Sequence, residues 1–378
     1  MIKPLTSLRF VFAFMVFLHH LNFLSSSSNT RIQWVFQHIF EEGFIGVSFF
    51  FILSGFILAY NYQHRILGGT ESISRFITAR IARIYPLHVL TLIAAIPLIY
   101  GAGLCCIDSN QLVAQNFLAN LFLVHSFFPE VGRCCYFNGP SWSISVEFFF
   151  YILFPVLIYT TQNLVESTYK LIVCITTMFV VILGFMLFSD GNFSGGLFYR
   201  NPLVRTADFL LGICLYNLFR LNKTRFPINY STLWEIGCIA LFILFFTLKG
   251  YIPLIGRYSI YYWLPVSIMI YVFAFQSGRV SKILSNPILI LLGEISFAFY
   301  MIHQIVLRYM DWYWERWAIT EIERVFYAFV ITLVLSYVSY KVFELPMNKW
   351  LKKNGRLNSL TQKMSAIIYG RLSNRQSD

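Results

Sequence analysis

The chain has 378 residues, of which 57% are hydrophobic and 12% charged, with 40 Phe and a mean hydropathy of +0.64. A soluble domain carries about 25% charged residues, so a soluble enzyme is excluded, and so is disorder, which needs low hydrophobicity and high charge. The net charge of +12 is spread over loops and a tail beside apolar segments, which is the positive-inside pattern of a membrane protein and not a sign of nucleic-acid binding.

In chain order, apolar segments fall at 5–24, 44–62, 84–103, 112–128, 144–160, 171–188, 205–220, 232–248, 258–276, 288–308 and 323–343. The first resembles a signal peptide, with Lys3, an apolar run to Leu24 and then Ser25 to Ser28. Arg9, His19 and His20 interrupt that run and no small-x-small cleavage site follows, so it reads as the first span. The doubtful segment is 112–128, which is short and carries Gln115, Asn116, Asn120 and His125. Charge decides its placement. If it does not span and the N-terminus is cytoplasmic, 19 basic residues fall inside and 6 outside. If it does span, the count becomes 10 inside and 15 outside, and the basic tail faces the wrong way. The expected fold class is therefore an all-α integral membrane protein with about ten transmembrane helices and both termini cytoplasmic. Segment 112–128 then lies in the interface or re-enters. The expected organisation is one polytopic domain over 1–346 and a basic cytoplasmic tail over 347–378.

Cys105, Cys106, Cys134 and Cys135 fall in one outside loop, 104–143, where an oxidising compartment lets them pair. The expectation is that Cys105 or Cys106 bonds Cys134 or Cys135, because vicinal cysteines form a strained ring. Cys174, Cys214 and Cys238 sit in apolar spans as packing residues. No Cys–His spacing typical of zinc is present, and no metal is expected.

An ionisable group inside a span is expensive and marks a functional site by default. Arg9 and His20 are eleven positions apart, roughly 16 Å along a helix and on nearly one face. Arg9 either lines a ligand path or snorkels to the headgroups, and His20 is either a site residue or an interfacial cap. Arg80 and Arg83 share a helix face at the cytoplasmic edge of the third span and suit a phosphate-rich ligand, because guanidinium binds phosphate bidentately. Plain positive-inside anchoring is the alternative. The stretch Gly139 to Glu147 contains Pro140, Ser141, Trp142, Ser143 and Ser145. There Ser141 or Ser143 is placed to cap a helix, and Glu147 falls near its first turn. Ser296, Tyr300 and His303 stack at i, i+4 and i+7 on the ninth span, as a site or as polar glue. Glu344, in Phe343-Glu344-Leu345-Pro346, is placed to pair with an inner arginine. Depth sorts His20, Glu147, Tyr300 and His303 to the outer half, and Arg9, Arg80, Arg83 and Glu344 to the inner half. The pattern suggests an inner basic entrance and an outer proton-transfer site.

Taken together these residues resemble the bacterial acyltransferase 3 family of integral-membrane O-acyltransferases, from about Leu5 to Pro346. The resemblance rests on Arg9 with His20, Gly46 to Phe56, Arg80 with Arg83, Pro140 to Glu147, Ser296 to His303, and Phe343 to Pro346. It implies an acyl-CoA donor, most often acetyl-CoA. It implies acceptor hydroxyls on an extracytoplasmic glycan or lipid-linked glycan, such as lipopolysaccharide O-antigen or capsule, at the bacterial inner membrane. Some family members carry a fused secreted esterase-like domain; here a short basic tail follows, so either the membrane domain completes transfer or a separate periplasmic partner does. Arg80 and Arg83 are expected on the CoA phosphates, with Arg9 lining the path. His20 is expected as general base or acyl relay, tuned by Glu147. A transporter or flippase with a buried proton relay, and a polysaccharide polymerase, are the rival readings.

Overall fold

The computed structural model describes residues 1–101, 110–128, 135–163, 166–189, 195–224, 226, 228–313 and 319–353. Among them there is no strand. In hydrocarbon every backbone N–H and C=O must be satisfied within its own segment, and the helix does this. The principal helices are α1 (Lys3–His19), α2 (Thr30–Leu67), α3 (Ile73–Gly101), α4 (Asn110–Leu121), α5 (Ser141–Thr161), α6 (Thr168–Phe188), α7 (Pro202–Asn222), α8 (Ser231–Leu248), α9 (Ile260–Ala274), α10 (Pro287–Tyr313) and α11 (Glu321–Leu351).

Eight of these are long and apolar enough to cross a membrane: α2, α3, α5, α6, α7, α8, α10 and α11. The other two expected spans, α1 and α9, are shorter helices. The protein is a multi-pass, all-α membrane protein. Segment 112–128 is not among the spanning helices. The 12 residues of α4 reach only about 18 Å, well short of a hydrocarbon core of about 30 Å. The segment is instead tied down at its C-terminal end. His88 Nε2 lies 2.8 Å from the Asn120 carbonyl, and Ser145 Oγ donates to the Leu123 carbonyl at 2.6 Å. Cys105, Cys106 and Cys134, and the tail from 354 onward, lie outside the described residues.

Lipid is as apolar as Leu, so helices in a membrane associate through close packing more than through a hydrophobic drive. The bundle shows this at its tightest crossings. A Cβ at Gly55 of α2 would fall 2.0 Å from the Phe209 carbonyl oxygen of α7, and one at Gly212 of α7 would fall 2.0 Å from the Ile52 carbonyl oxygen of α2. Gly293 of α10 meets the Thr6 carbonyl of α1 equally closely. Interlocked phenylalanines fill the space between: Phe12 stacks on Phe49 at 3.8 Å between centroids, and Phe150 on Phe209 at 4.7 Å. Helices α6 and α8 lie at the periphery with most of their apolar surface exposed, as lipid-facing helices do.

The crossing of α2 and α7 yields a test. Gly212→Ala should destabilise the protein by about 1–3 kcal/mol, because backbone cannot yield to the added methyl. Gly184→Ala, where nothing lies within 4 Å, should be neutral or slightly stabilising. Thermal unfolding in detergent measures both.

Candidate active site

A cavity of about 460 Å³ opens among α1, α2, α3, α5, α10 and α11. Its basic wall is Arg9 of α1 with Arg80 and Arg83 of α3. Arg80 donates from Nη2 to Tyr62 Oη at 3.1 Å, and its guanidinium lies over the Tyr62 and Tyr151 rings at 5.2 and 5.9 Å. Its Nε is buried and makes no hydrogen bond among the described residues. Glu344 faces Arg83 and Arg9, and its buried Oε1 likewise has no hydrogen-bond partner among the described residues. Two stretches of π-helix bring groups to this end: Ala59–Gln63 carries Tyr60 and Asn61, and Ser339–Glu344 carries Tyr340. Such insertions are frequent at functional sites. Met1 and Ile2 line the cavity together with Tyr340.

The cavity continues to Ser143 and Tyr300. Their hydroxyls lie 2.8 Å apart and both reach the Pro140 carbonyl, Ser143 at 3.0 Å and Tyr300 at 3.3 Å. The Tyr300 ring is 5.9 Å from the His303 ring, and His303 Nε2 lies 3.2 Å from His20 Nδ1. Neighbouring carbonyls set the tautomers. Val16 O is 2.8 Å from His20 Nδ1 and Phe299 O is 3.3 Å from His303 Nδ1. A carbonyl only accepts, so each neutral ring carries its proton on Nδ1. His20 Nδ1–H is then shared between Val16 O and His303 Nε2, and His20 Nε2 is left with a lone pair. His303 is fully buried and His20 partly exposed. His19 turns away, with Nδ1 2.6 Å from the Glu41 carbonyl.

The geometry therefore brings most of the sequence-predicted residues into two adjoining parts. Arg9, Arg80, Arg83, Ser143, Glu147, Ser296 and Tyr300 line the cavity. His20 and His303 form a pair beyond Tyr300. Two expectations are corrected. Glu147 does not sit beside His20: it lines the arginine cavity, accepting from Tyr151 Oη at 2.5 Å and Ser54 Oγ at 3.4 Å. Its helix begins at Ser141, so Glu147 falls in the second turn. Nor do Ser141 and Ser143 cap that helix. Both donate backwards, to the Asn138 and Pro140 carbonyls. Ser141 is off the cavity, in a buried network with Asn120 and His125 (each 3.3 Å). Burial, with His88 adding to it, pushes the His125 imidazole down to about 3, so it is neutral there. Trp142 also stands behind the cavity, its ring 4.8 Å from Tyr199. Ser296 Oγ is spent on the Gly293 carbonyl at 2.8 Å.

Residues 4–341 match the family model of the acyltransferase domain. The chain belongs to the acyltransferase 3 family. It is 28% identical to the acyltransferase MdmB of Streptomyces mycarofaciens, over 82% of this chain and 79% of that one. It is 25% identical to "Putative O-acetyltransferase SACOL0978" of Staphylococcus aureus strain COL, over 92% of this chain and 57% of that one. The chain thus spans little more than half of the staphylococcal relative. A shorter stretch, 28% of the chain, is 33% identical to "Protein 2 in picA locus" of Rhizobium radiobacter, covering 61% of that protein. No solved structure matches the chain significantly.

Sequence reasoning passed over several groups of this acyltransferase. Tyr151 follows Glu147 at i+4, a spacing that places them on one face. Tyr62, Glu294 and Tyr340 had no such signal. Arg205 and Asp208, an i, i+3 pair, are both fully buried and joined at 3.0 Å. Arg205 also donates to Ser48 Oγ at 2.8 Å and the Tyr258 carbonyl at 2.5 Å, and Trp263 Nε1 donates to Asp208 at 2.6 Å. The Arg205 guanidinium lies over Tyr199, the ring that backs Trp142. This network is a brace behind the cavity. Asp208→Ala should cost about 3–5 kcal/mol, because it leaves Arg205 uncompensated. Thermal unfolding reads the loss, with Gly184→Ala as the reference.

Proposed function

We propose that the protein transfers an acetyl group from cytoplasmic acetyl-CoA to a hydroxyl of an extracytoplasmic polysaccharide or glycolipid, such as O-antigen or capsule, at a bacterial inner membrane. The observation that carries this reading is the joining of an arginine cavity, through Tyr300, to a histidine pair with one free ring nitrogen. Family membership supports acyl transfer. The donor, the acceptor and the membrane are the proposal.

Three guanidiniums in a cavity of this size suit the phosphates of a CoA ester, and the unpartnered Arg80 Nε supplies a donor in reserve. Glu147 and Glu344 offset the charge of Arg9, and Glu344 also that of Arg83, when no anion is bound. At the far end Tyr300 and Ser143, on turning their hydroxyls from the Pro140 carbonyl, would donate to a thioester carbonyl oxygen, where negative charge develops. His20 Nε2 takes the proton of the acceptor hydroxyl as its oxygen attacks the carbonyl carbon. The C–S bond breaks, the ester forms, and the departing thiolate receives the proton from His20. His303 Nε2 accepts from His20 Nδ1–H throughout and so steadies the imidazolium. A basic tail and the arginine end on the cytoplasmic side agree with the charge count along the chain.

Two outcomes test this. Replacing Arg80 and Arg83 together by Ala should weaken CoA binding to purified protein by about 100-fold or more, since each charge-assisted bond is worth about 1.5–3 kcal/mol. Unchanged affinity would remove the donor assignment. In cells, His20→Ala at normal protein level should lower O-acetylation of the surface glycan about 10²–10⁴-fold, read by NMR of the purified glycan. Normal acetyl content would remove the general base.

A further inference from the structure

One wall of the arginine cavity is a stripe of α2. Asn61, Ile57, Ser54, Phe50 and Val47 line it in turn, at the three- and four-residue steps that share a helix face. The eleven positions from Asn61 to Phe50 cover about 16 Å of helix. Along that length the wall changes from polar to apolar. Asn61 lies at the guanidinium end and Ser54 donates to Glu147. Beyond them Val47, Phe50 and Phe51 of α2 line the cavity with Ile144 of α5, next to Ser143.

Phe50 differs from its apolar neighbours. Val47, Phe51 and Ile144 are buried, whereas Phe50 is half-buried and meets the Tyr300 ring edge-on at 5.9 Å between centroids. The His303 ring lies at the same distance from Tyr300. A thioester whose carbonyl oxygen sits at the Ser143 and Tyr300 hydroxyls, with its carbonyl carbon open to the histidine pair, leaves its alkyl chain to face Phe50. This wall has no room to retreat. Phe49 stacks on Phe12 of α1 at 3.8 Å, and a Cβ at Gly46 would fall 2.6 Å from the Phe12 carbonyl oxygen. Phe51 is held between the Arg205 guanidinium at 5.0 Å and the Phe150 ring at 5.1 Å. A close-packed wall refuses added methylenes and does not move aside for them.

We propose that Phe50 sets the length of the acyl group: its ring closes a pocket that takes the methyl of an acetyl thioester and rejects a longer chain such as butyryl. The inference deepens the functional proposal and rests on its assignment of an acyl-CoA to this cavity. Phe50 moves no proton; it is a specificity-determining residue, and the bonds made and broken are those already given.

The test measures Kd values of the full chain in detergent for CoA, acetyl-CoA and butyryl-CoA. The wild-type protein should prefer acetyl-CoA to butyryl-CoA by about 10-fold or more, since one methylene in a hydrophobic pocket discriminates roughly 10- to 200-fold. Phe50→Ala should bring the two within about 3-fold of each other, and Phe50→Leu should move the ratio part of the way. Gly184→Ala, which lies in α6 away from the cavity, should keep the wild-type ratio. The ratio is the readout, so a general loss of affinity in a variant does not count as the expected result. Where Phe50→Ala does not fold, Phe50→Leu carries the test with a smaller shift in the same direction. Equal binding of acetyl- and butyryl-CoA by a wild-type protein that binds CoA, or a preference unchanged in the folded Phe50 variants, would overturn the proposal and leave the donor assignment standing. Failure of all three thioester and thiol probes to bind would remove the donor assignment itself, and this proposal with it.

Discussion

A bare charge in hydrocarbon is costly, and this constraint organises the bundle. Where the chain must bury a charge for structure, it surrounds it. Arg205 is closed by Asp208, Ser48 and the Tyr258 carbonyl. Glu42 receives Tyr262 and Arg257, with Lys249 at 3.7 Å. Glu235 accepts the Gly278 and Val280 amides at 3.0 and 2.9 Å, sealing the start of the short helix Arg279–Leu284. Against that background the arginine cavity is different. Its guanidiniums share one space, and Arg80 Nε and Glu344 Oε1 are buried with hydrogen-bonding capacity left over among the described residues. A guanidinium N–H left over beside an open cavity is a donor that an anionic ligand can use.

Close backbone approach is the second half of the design. Gly55 and Gly212 let α2 and α7 touch, and Gly293 does the same for α10 against α1. The approach of α10 to α1 carries His303 to His20, since His303 lies on α10 and His20 ends α1 as its C-cap. A side chain at Gly293 would therefore act on the histidine contact some ten residues away, by spreading the helices that carry it.

Much of this was legible in the sequence, and the reason is physical. Hydropathy marks the apolar segments, the charge count sets 112–128 apart from the spans, and the i, i+4, i+7 series marks the face of α10 that bears Ser296, Tyr300 and His303. Eleven positions between Arg9 and His20 return to one helix face, and the structure does place one in the cavity and the other beside His303. Pairing across helices is another matter. Nothing in the local pattern says that Glu147 meets Ser54 and not His20, because that depends on where α5 begins and how it docks. The same holds for Ser141, whose hydroxyl looks like a cap in sequence but joins a network with Asn120 and His125 from a segment that packs alongside.

Tyr300 has one further consequence. An aqueous path through a bilayer conducts protons as readily as it admits a substrate, and would discharge any gradient held across it. Here the cavity ends on the Tyr300 and Ser143 hydroxyls, both committed to the Pro140 carbonyl, and the histidine pair lies on the other side of the ring. The Tyr300 ring thus stands between the arginine cavity, which it lines, and the histidine pair.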